Sequence, residues 1–264
     1  MKILLALAAI TSMLTSAIAL SQPAKAEKPT ILLVHGAFAD ASSWNGVIAI
    51  LEKDGYSVRA VANPLRSLKN DAQYLSDIVK SIAAPVVLVG HSYGGLVISE
   101  AGAANVKALV YVAAFAPDVG ETALGLSGKF PGSTLGAALA TPVSLSGGGK
   151  DLYIDKAKFH NQFAADVPAR EAVAMAAGQR PVTDAALNEA ASAPTWKSLP
   201  SWFIYGDQDK NIPPQALGYM AERAKSKRTE VVRGASHVVM VSNPKAVAEM
   251  IERASTETAR AMTM

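Results

Sequence analysis

Val86-Val87-Leu88-Val89-Gly90-His91-Ser92-Tyr93-Gly94-Gly95 is the stretch that decides how this chain of 264 residues is read. A wholly apolar, largely β-branched run stops at a Gly-x-Ser-x-Gly, and small, helix-compatible residues follow at once. That order predicts a buried strand, a very tight turn and a helix. Glycines at 90 and 94 suit a strained backbone in which larger side chains would collide with the adjoining strand and helix. Ser92 is then thrust into a cleft, and the N–H of Tyr93 opens a helix whose partial positive charge faces any oxyanion formed there. A serine in an ordinary glycine-rich turn is the plain alternative. The strand before the motif, the helix after it and the partner residues below favour a nucleophile.

Working outward from this turn, short apolar runs alternate with amphipathic stretches from Thr30 onward. Strands are expected at Ile31 to His35, Ser57 to Ala62, Val86 to Gly90, Ala108 to Ala113, Trp202 to Tyr205 and Glu230 to Val232. Between them, Asp71 to Ile82 places Ala72, Leu75, Ile78, Val79 and Ile82 on one helical face, and Pro244 to Ala254 does the same with Val247, Met250 and Ile251. Strands apolar on both faces and separated by helices mean an α/β fold, with a mostly parallel six-stranded sheet covered on both sides. The interval from Pro117 to Leu199 breaks this rhythm. It carries Gly147-Gly148-Gly149, several prolines and helical pieces at Asp155 to Ala165, Pro168 to Gly178 and Asp184 to Ala191. A structureless loop of that length is improbable in a compact domain, so an inserted helical lid is expected over about 117–199. Val143 to Leu145 and Leu152 to Ile154, flanking the glycines, form a candidate hairpin within it.

A serine hydroxyl needs a base in reach, and the base needs an orienting partner. The chain has four histidines: His35, His91, His160 and His237. His91 belongs to the turn, His160 to lid packing beside Phe159, and His35 to support of the loop after the first strand. His237, in Gly234-Ala235-Ser236-His237 directly after the last expected strand, is the candidate base. The acid belongs between serine and histidine in chain order for this architecture. Gly206-Asp207-Gln208-Asp209 follows the fifth expected strand, and either carboxylate could serve, or both could be turn formers and helix caps. For the oxyanion, His35-Gly36-Ala37-Phe38 follows the first strand, where glycine lets the backbone bend and the Ala37 N–H joins that of Tyr93. With the first strand between the second and third, connections leave on opposite faces and open a crevice at the carboxyl ends of the first and third.

Half of the residues are hydrophobic, enough for one sizeable core. Without cysteine, disulfides, thiolate metal sites and cysteine nucleophiles are excluded. No metal or other cofactor is expected. Met1-Lys2, an apolar run from Ile3 to Leu20 and Ala24-Lys25-Ala26 read as a secretory signal peptide over residues 1–26, cleaved before Glu27, with an uncleaved anchor as the alternative. The expected destination is the periplasm or medium, with no stable membrane association after cleavage. The formal charge of +3 falls to +1 once Lys2 and Lys25 are removed, which leaves nucleic-acid binding without a charge argument.

Together, His35-Gly36-Ala37-Phe38, Gly90-His91-Ser92-Tyr93-Gly94, Gly206-x-x-Asp209 and Gly234-Ala235-Ser236-His237 give a chain that resembles the α/β-hydrolase family over essentially its whole mature length. The His-Gly-Ala start, Trp44 and Phe159-His160-x-x-Phe163 look most like the branch of small carboxylesterases related to plant hydroxynitrile lyases. The chain is expected to enter directly at the oxyanion-loop strand, without the family's usual first hairpin. The resemblance implies a catalytic Ser92, His237 and Asp209, because the family's acid stands three residues after the glycine and Asp209 also lies beyond the bend, where its carboxylate can turn back. It implies hydrolysis of a small, apolar carboxylic ester through an acyl-enzyme. Hydroxynitrile lyases of this branch carry a lysine after the histidine and a threonine after the oxyanion-strand histidine, where this chain has Val238 and Gly36. A ligand receptor that keeps the scaffold and a cofactor-free haloperoxidase-like reaction are the other uses of such a site.

Overall fold

The computed structural model describes residues 28–262. The leader expected over 1–26 and the start at Glu27 lie outside the described residues. Four strands come first, β1 (Thr30–Val34), β2 (Val58–Val61), β3 (Val86–His91) and β4 (Val106–Val112). Three short ones follow, β5 (Val143–Ser144), β6 (Lys150–Leu152) and β7 (Val182–Thr183), and then β8 (Ser201–Gly206) and β9 (Arg228–Val232). The long strands form one six-stranded sheet in the order β2-β1-β3-β4-β8-β9, and every pairing in it is parallel. β1 lies between β2 and β3, so its loop and that of β3 open side by side at the sheet's carboxyl edge. Residues 31–34 and 86–89 are inaccessible to solvent on both faces, which is why these strands read as unbroken apolar runs. β9 is an edge strand with Arg228, Thr229 and Val231 exposed, and its first two residues carry too weak an apolar pattern to be expected as strand.

The helices are α1 (Asn45–Lys53), α2 (Leu68–Lys80), α3 (Tyr93–Glu100), α4 (Ala123–Gly128), α5 (Leu135–Ala138), α6 (Lys156–Phe163), α7 (Ala169–Gly178), α8 (Asp184–Asn188), α9 (Pro214–Arg223), α10 (Val239–Ser242) and α11 (Pro244–Met262). α2 packs on α3, while α1 packs on α11, which also contacts β3, β4 and β8. Right-handed crossovers from β1 to β2 and from β2 back to β3 place these two pairs on opposite faces. α11 runs eight residues beyond the expected end at Ala254. Its continuation contains Ser255 and Thr258, which look like breakers in sequence. Both are buried, and their hydroxyls donate to the carbonyls of Ile251 (2.8 Å) and Ala254 (2.7 Å), so the helix absorbs them.

The interval 117–199 contains α4 to α8 and a small antiparallel sheet, β5-β6-β7. The expected hairpin forms with its second strand displaced toward the N-terminus, because the turn closes early: Leu145 N donates to Gly149 O (3.1 Å) and the strand resumes at Lys150. β7 is a third strand that the hairpin expectation did not include. Polar links tie this interval to the sheet's helices. The Arg66 guanidinium meets Asp151 Oδ1 at 2.5 Å and donates to Pro181 O at 2.8 Å. Glu189 reaches across to cap α2, accepting from Leu68 N (2.6 Å), Lys69 N (3.3 Å) and Ser67 Oγ (2.9 Å). A carboxylate at a helix N-terminus satisfies orphan N–H groups and faces the positive end of the dipole. Glu189→Ala is therefore expected to lower unfolding free energy by about 1–2 kcal/mol. Urea titration checks this, and a midpoint equal to wild type would show that the cap contributes nothing.

Candidate active site

Ser92 joins β3 to α3 with φ 53° and ψ −121°, in the left-handed half of backbone space that a non-glycine residue enters at a cost of about 1–3 kcal/mol. Its carbonyl accepts from Gly95 N (2.9 Å) and Phe115 N (3.2 Å), so the turn is clamped by its own helix and by the loop after β4. A Cβ on Gly90 would come within 2.5 Å of the Gly94 carbonyl oxygen, and one on Gly94 would collide with the Val34 carbonyl of β1. These are the collisions the sequence predicted. Gly36 serves differently from the expectation that it bends the backbone. A Cβ there would sit 2.6 Å from Ser92 Cβ and 2.7 Å from His91 O, so its role is close approach, bringing the Gly36-Ala37 segment against the serine. Tyr93 is the first residue of α3, and a first-turn N–H has no acceptor within its helix.

The structure joins His237 to Asp209. His237 Nδ1 donates to Asp209 Oδ2 at 2.6 Å between two side chains almost wholly removed from solvent. Oδ1 of the same carboxylate accepts from Asn211 N (2.8 Å) and Ile212 N (3.0 Å). With Nδ1 carrying the proton, Nε2 holds the lone pair of the neutral ring. Ser92 and His237 line the same narrow cavity, of about 30 Å³, together with Phe38, Phe115, Leu187 and Ile212. Asp207 acts elsewhere, on the backbone: its Oδ1 accepts from Gly234 N at 2.7 Å and fixes the start of the loop that carries His237. Ser236 of that loop donates to Asp166 of the inserted interval.

The remaining histidines support the frame. His91 Nε2 donates to His237 O (3.1 Å), and its ring lies 4.8 Å from that of His237, centre to centre. Complete burial, reinforced by the neighbouring His237, holds His91 well below the usual imidazole range, so it is neutral. His35 Nδ1 donates to Gly36 O (2.9 Å), its Nε2 accepts from Asn63 N (3.1 Å), and Asn63 Nδ2 donates to His35 O (2.9 Å). Burial lowers the His35 pKa to about 4. His160 donates to Val167 O at 2.9 Å inside the interval and takes no part in the site.

One buried pair had no place in the sequence reading. Tyr93 Oη donates to Asp71 Oδ2 at 2.9 Å, and Arg66 N donates to the same carboxylate. Burial raises both the Asp71 carboxyl and the Tyr93 phenol above their ordinary values. The signal was available: Asp71 stands four residues before Leu75, on the apolar stripe of α2. A carboxylate on such a stripe needs a buried partner.

The state of His35 makes stability depend on pH. Its folded pKa of about 4 lies below 6.5, so across this window the unfolded chain binds more protons than the native one. Stability is therefore full above about pH 6.5 and falls as pH drops toward 4, by about 1.4 kcal/mol per pH unit for one proton. Protonation would also place a hydrogen on the nitrogen that accepts from Asn63. Urea unfolding at pH 7, 6 and 5 should give a shallower loss for His35→Gln than for wild type. Identical slopes would mean that His35 titrates normally in the native state.

Comparison with known proteins agrees with this architecture. The model of the alpha/beta hydrolase family matches residues 31–250. The chain is 28% identical over 254 residues to "Alpha/beta hydrolase nvfD" from Aspergillus novofumigatus, covering 87% of this chain and 98% of that one. It is 24% identical to "Esterase PIR7B" from Oryza sativa subsp. japonica, covering 85% and 94%, and 22% identical to "Alpha-hydroxynitrile lyase" from Arabidopsis thaliana, covering 87% and 98%. The crystal structure of polyneuridine aldehyde esterase superposes with a TM-score of 0.75 at 20% identity, over 86% of this chain and 99% of that one. Sheet order, turn geometry and the family match lead to one conclusion: the chain belongs to the alpha/beta hydrolase family.

Proposed function

We propose that the protein is a serine esterase that cleaves small carboxylic esters through an acyl-enzyme. The observation that carries this reading is the buried His237–Asp209 contact of 2.6 Å beside a serine held at a strained strand-to-helix turn in the same cavity. Ser92 Oγ attacks the ester carbonyl while His237 Nε2 takes its proton, and the negative charge on the former carbonyl oxygen faces the N–H groups of Ala37 and Tyr93. The imidazolium then protonates the departing alkoxide. Water, deprotonated by the same ring, attacks the acyl-serine; acid is released and Ser92 recovers its proton. Asp209 holds the tautomer and faces the imidazolium charge. Relatives named as esterases support ester hydrolysis, and a lyase stands among them too. The residue after His237 is Val238, fully buried, and no lysine lines the catalytic cavity, which favours hydrolysis over the lyase chemistry that the resemblance associates with that position.

The catalytic cavity has room for little more than one or two water molecules, far below the roughly 300–1,000 Å³ of ordinary ligand sites. Leu124, Leu135, Phe163 and Leu187, all from the inserted interval, form much of its wall. Substrate binding in this reading requires that interval to move, as a lid does.

Mature protein is expected to hydrolyse p-nitrophenyl esters without added metal, and a fluorophosphonate is expected to label Ser92. Ser92→Ala should lose activity by about 10³-fold or more. A Ser92→Ala variant at the wild-type rate would place the chemistry elsewhere. Asp209→Asn should lower kcat by orders of magnitude, roughly 10²–10⁴-fold, through the wrong imidazole tautomer. Asp207→Asn should act on melting temperature and much less on kcat, since its carboxylate binds backbone. Rates and melting curves of the two variants decide this, and the reverse pattern would move the acid to Asp207.

A further inference from the structure

Phe38 separates two cavities. On one side lies the catalytic space of about 30 Å³, walled by Phe115, Leu124, Leu135, Leu187 and Ile212. On the other lies a larger cavity of about 330 Å³, between the loop after β1 and α7, with Asp40, Ser42, Asn45, Glu171, Met175 and Gln179 in its wall. Phe38 is the residue that lines both. It follows the proposed oxyanion donor Ala37, is nearly buried, and has φ 61°. Its N–H donates to Arg180 O of the inserted interval (2.9 Å), and its ring stands edge-on to Phe163 at 6.2 Å. Backbone and ring are thus both held by the interval proposed to move, so displacement of that interval frees the partition.

We infer that the larger cavity is the subsite for the alcohol part of the ester, and that Phe38 sets which alcohols reach it. This rests on the esterase reading of Ser92. The two ends of an ester diverge from the attacked carbonyl, and the two cavities differ in chemistry. Away from Ser92 and His237 the catalytic space is walled mainly by hydrocarbon, with Ser127 and Asn211 as its polar residues, and suits an acyl chain. In the larger cavity the Gln179 amide is spent on Ile154 and Ala176 and the Ser42 hydroxyl on Asp40, while Ser43, Asn45 and the carboxylate of Glu171 also line it and suit an alcohol bearing hydrogen-bonding groups. Its wall includes the carboxylates of Asp40 and Glu171 and no lysine or arginine, so neutral or cationic alcohols are accepted and anionic ones repelled.

The test uses two substrate series on wild type, Phe38→Ala and Ala174→Trp, whose new indole would fill the larger cavity from α7. One series is p-nitrophenyl esters of acids of growing length. The other is the acetates of ethanol, glycerol, choline and glycerol 3-phosphate. Phe38→Ala should raise kcat/KM for the choline and glycerol acetates relative to ethyl acetate by about tenfold, with a much smaller change across the acyl series. Ala174→Trp should lower that ratio, and the phosphate-bearing acetate should remain the poorest substrate throughout. Phe38→Leu replaces Phe38→Ala if the latter does not fold. Unchanged alcohol ratios, or a response confined to the acyl series, would overturn the subsite while leaving the esterase reading intact. Wild type that neither cleaves any ester nor reacts with a fluorophosphonate at Ser92 would instead overturn that reading, and the subsite with it.

Discussion

The backbone of Ser92 is held in a conformation its own chemistry disfavours, and the rest of the structure is arranged to hold it there. A strain of about 1–3 kcal/mol persists only where the surroundings over-determine it. Here they do so from several sides. β3 is buried between β1 and β4, Gly94 lies against the Val34 carbonyl, Gly36 lies against the serine itself, and Phe115 N–H clamps the turn from the next loop. Relaxing the serine would require pulling apart two of the most buried strands in the molecule. The same packing lays the Gly36-Ala37 segment against the serine at the start of α3, so the strained turn and the proposed oxyanion site share their supports.

His237 and Asp209, the proposed base and acid, arrive independently, from the ends of β9 and β8, and their registration depends on polar contacts rather than on the sheet alone. Asp207 fixes the loop of His237 by accepting from Gly234, and Asp209 fixes the ring. His91 holds the His237 carbonyl from below. Gln162 of α6 exchanges hydrogen bonds with Asn211 and Lys210 beside the acid, while Ser236 donates to Asp166. The inserted interval is therefore bonded to the loops of both Asp209 and His237, and, through Arg180, to Phe38 beside Ala37. The proposed motion of that interval would therefore also shift these loops.

Much of this was legible in the sequence because its parts are local. The turn at Ser92 and the strand cores follow from residues within a few positions of one another, whereas chain order narrows the partner of His237 to Asp207 or Asp209 and the family resemblance selects Asp209. What was not legible depends on distant partners. Asp71 on the apolar stripe of α2 calls for a buried partner, but only the packing of α2 on α3 makes that partner Tyr93. β7 has two residues and exists because Asp151 and Leu152 offer it a ladder. The last turns of α11 were hidden because buried serine and threonine satisfy themselves on the helix carbonyls. Gly36 was read for conformational freedom, whereas its value is the space it leaves for a residue 56 positions away.

The proposed mechanism requires a covalent acyl bond at Ser92, and acid-quench mass spectrometry detects that bond. Protein mixed for milliseconds with p-nitrophenyl butyrate, quenched in acid and digested, should show a butyryl group on the peptide that carries Ser92, at a level rising with the initial burst of nitrophenol. Steady turnover with Ser92 unmodified at every quench time, or the acyl group on another residue, would contradict it.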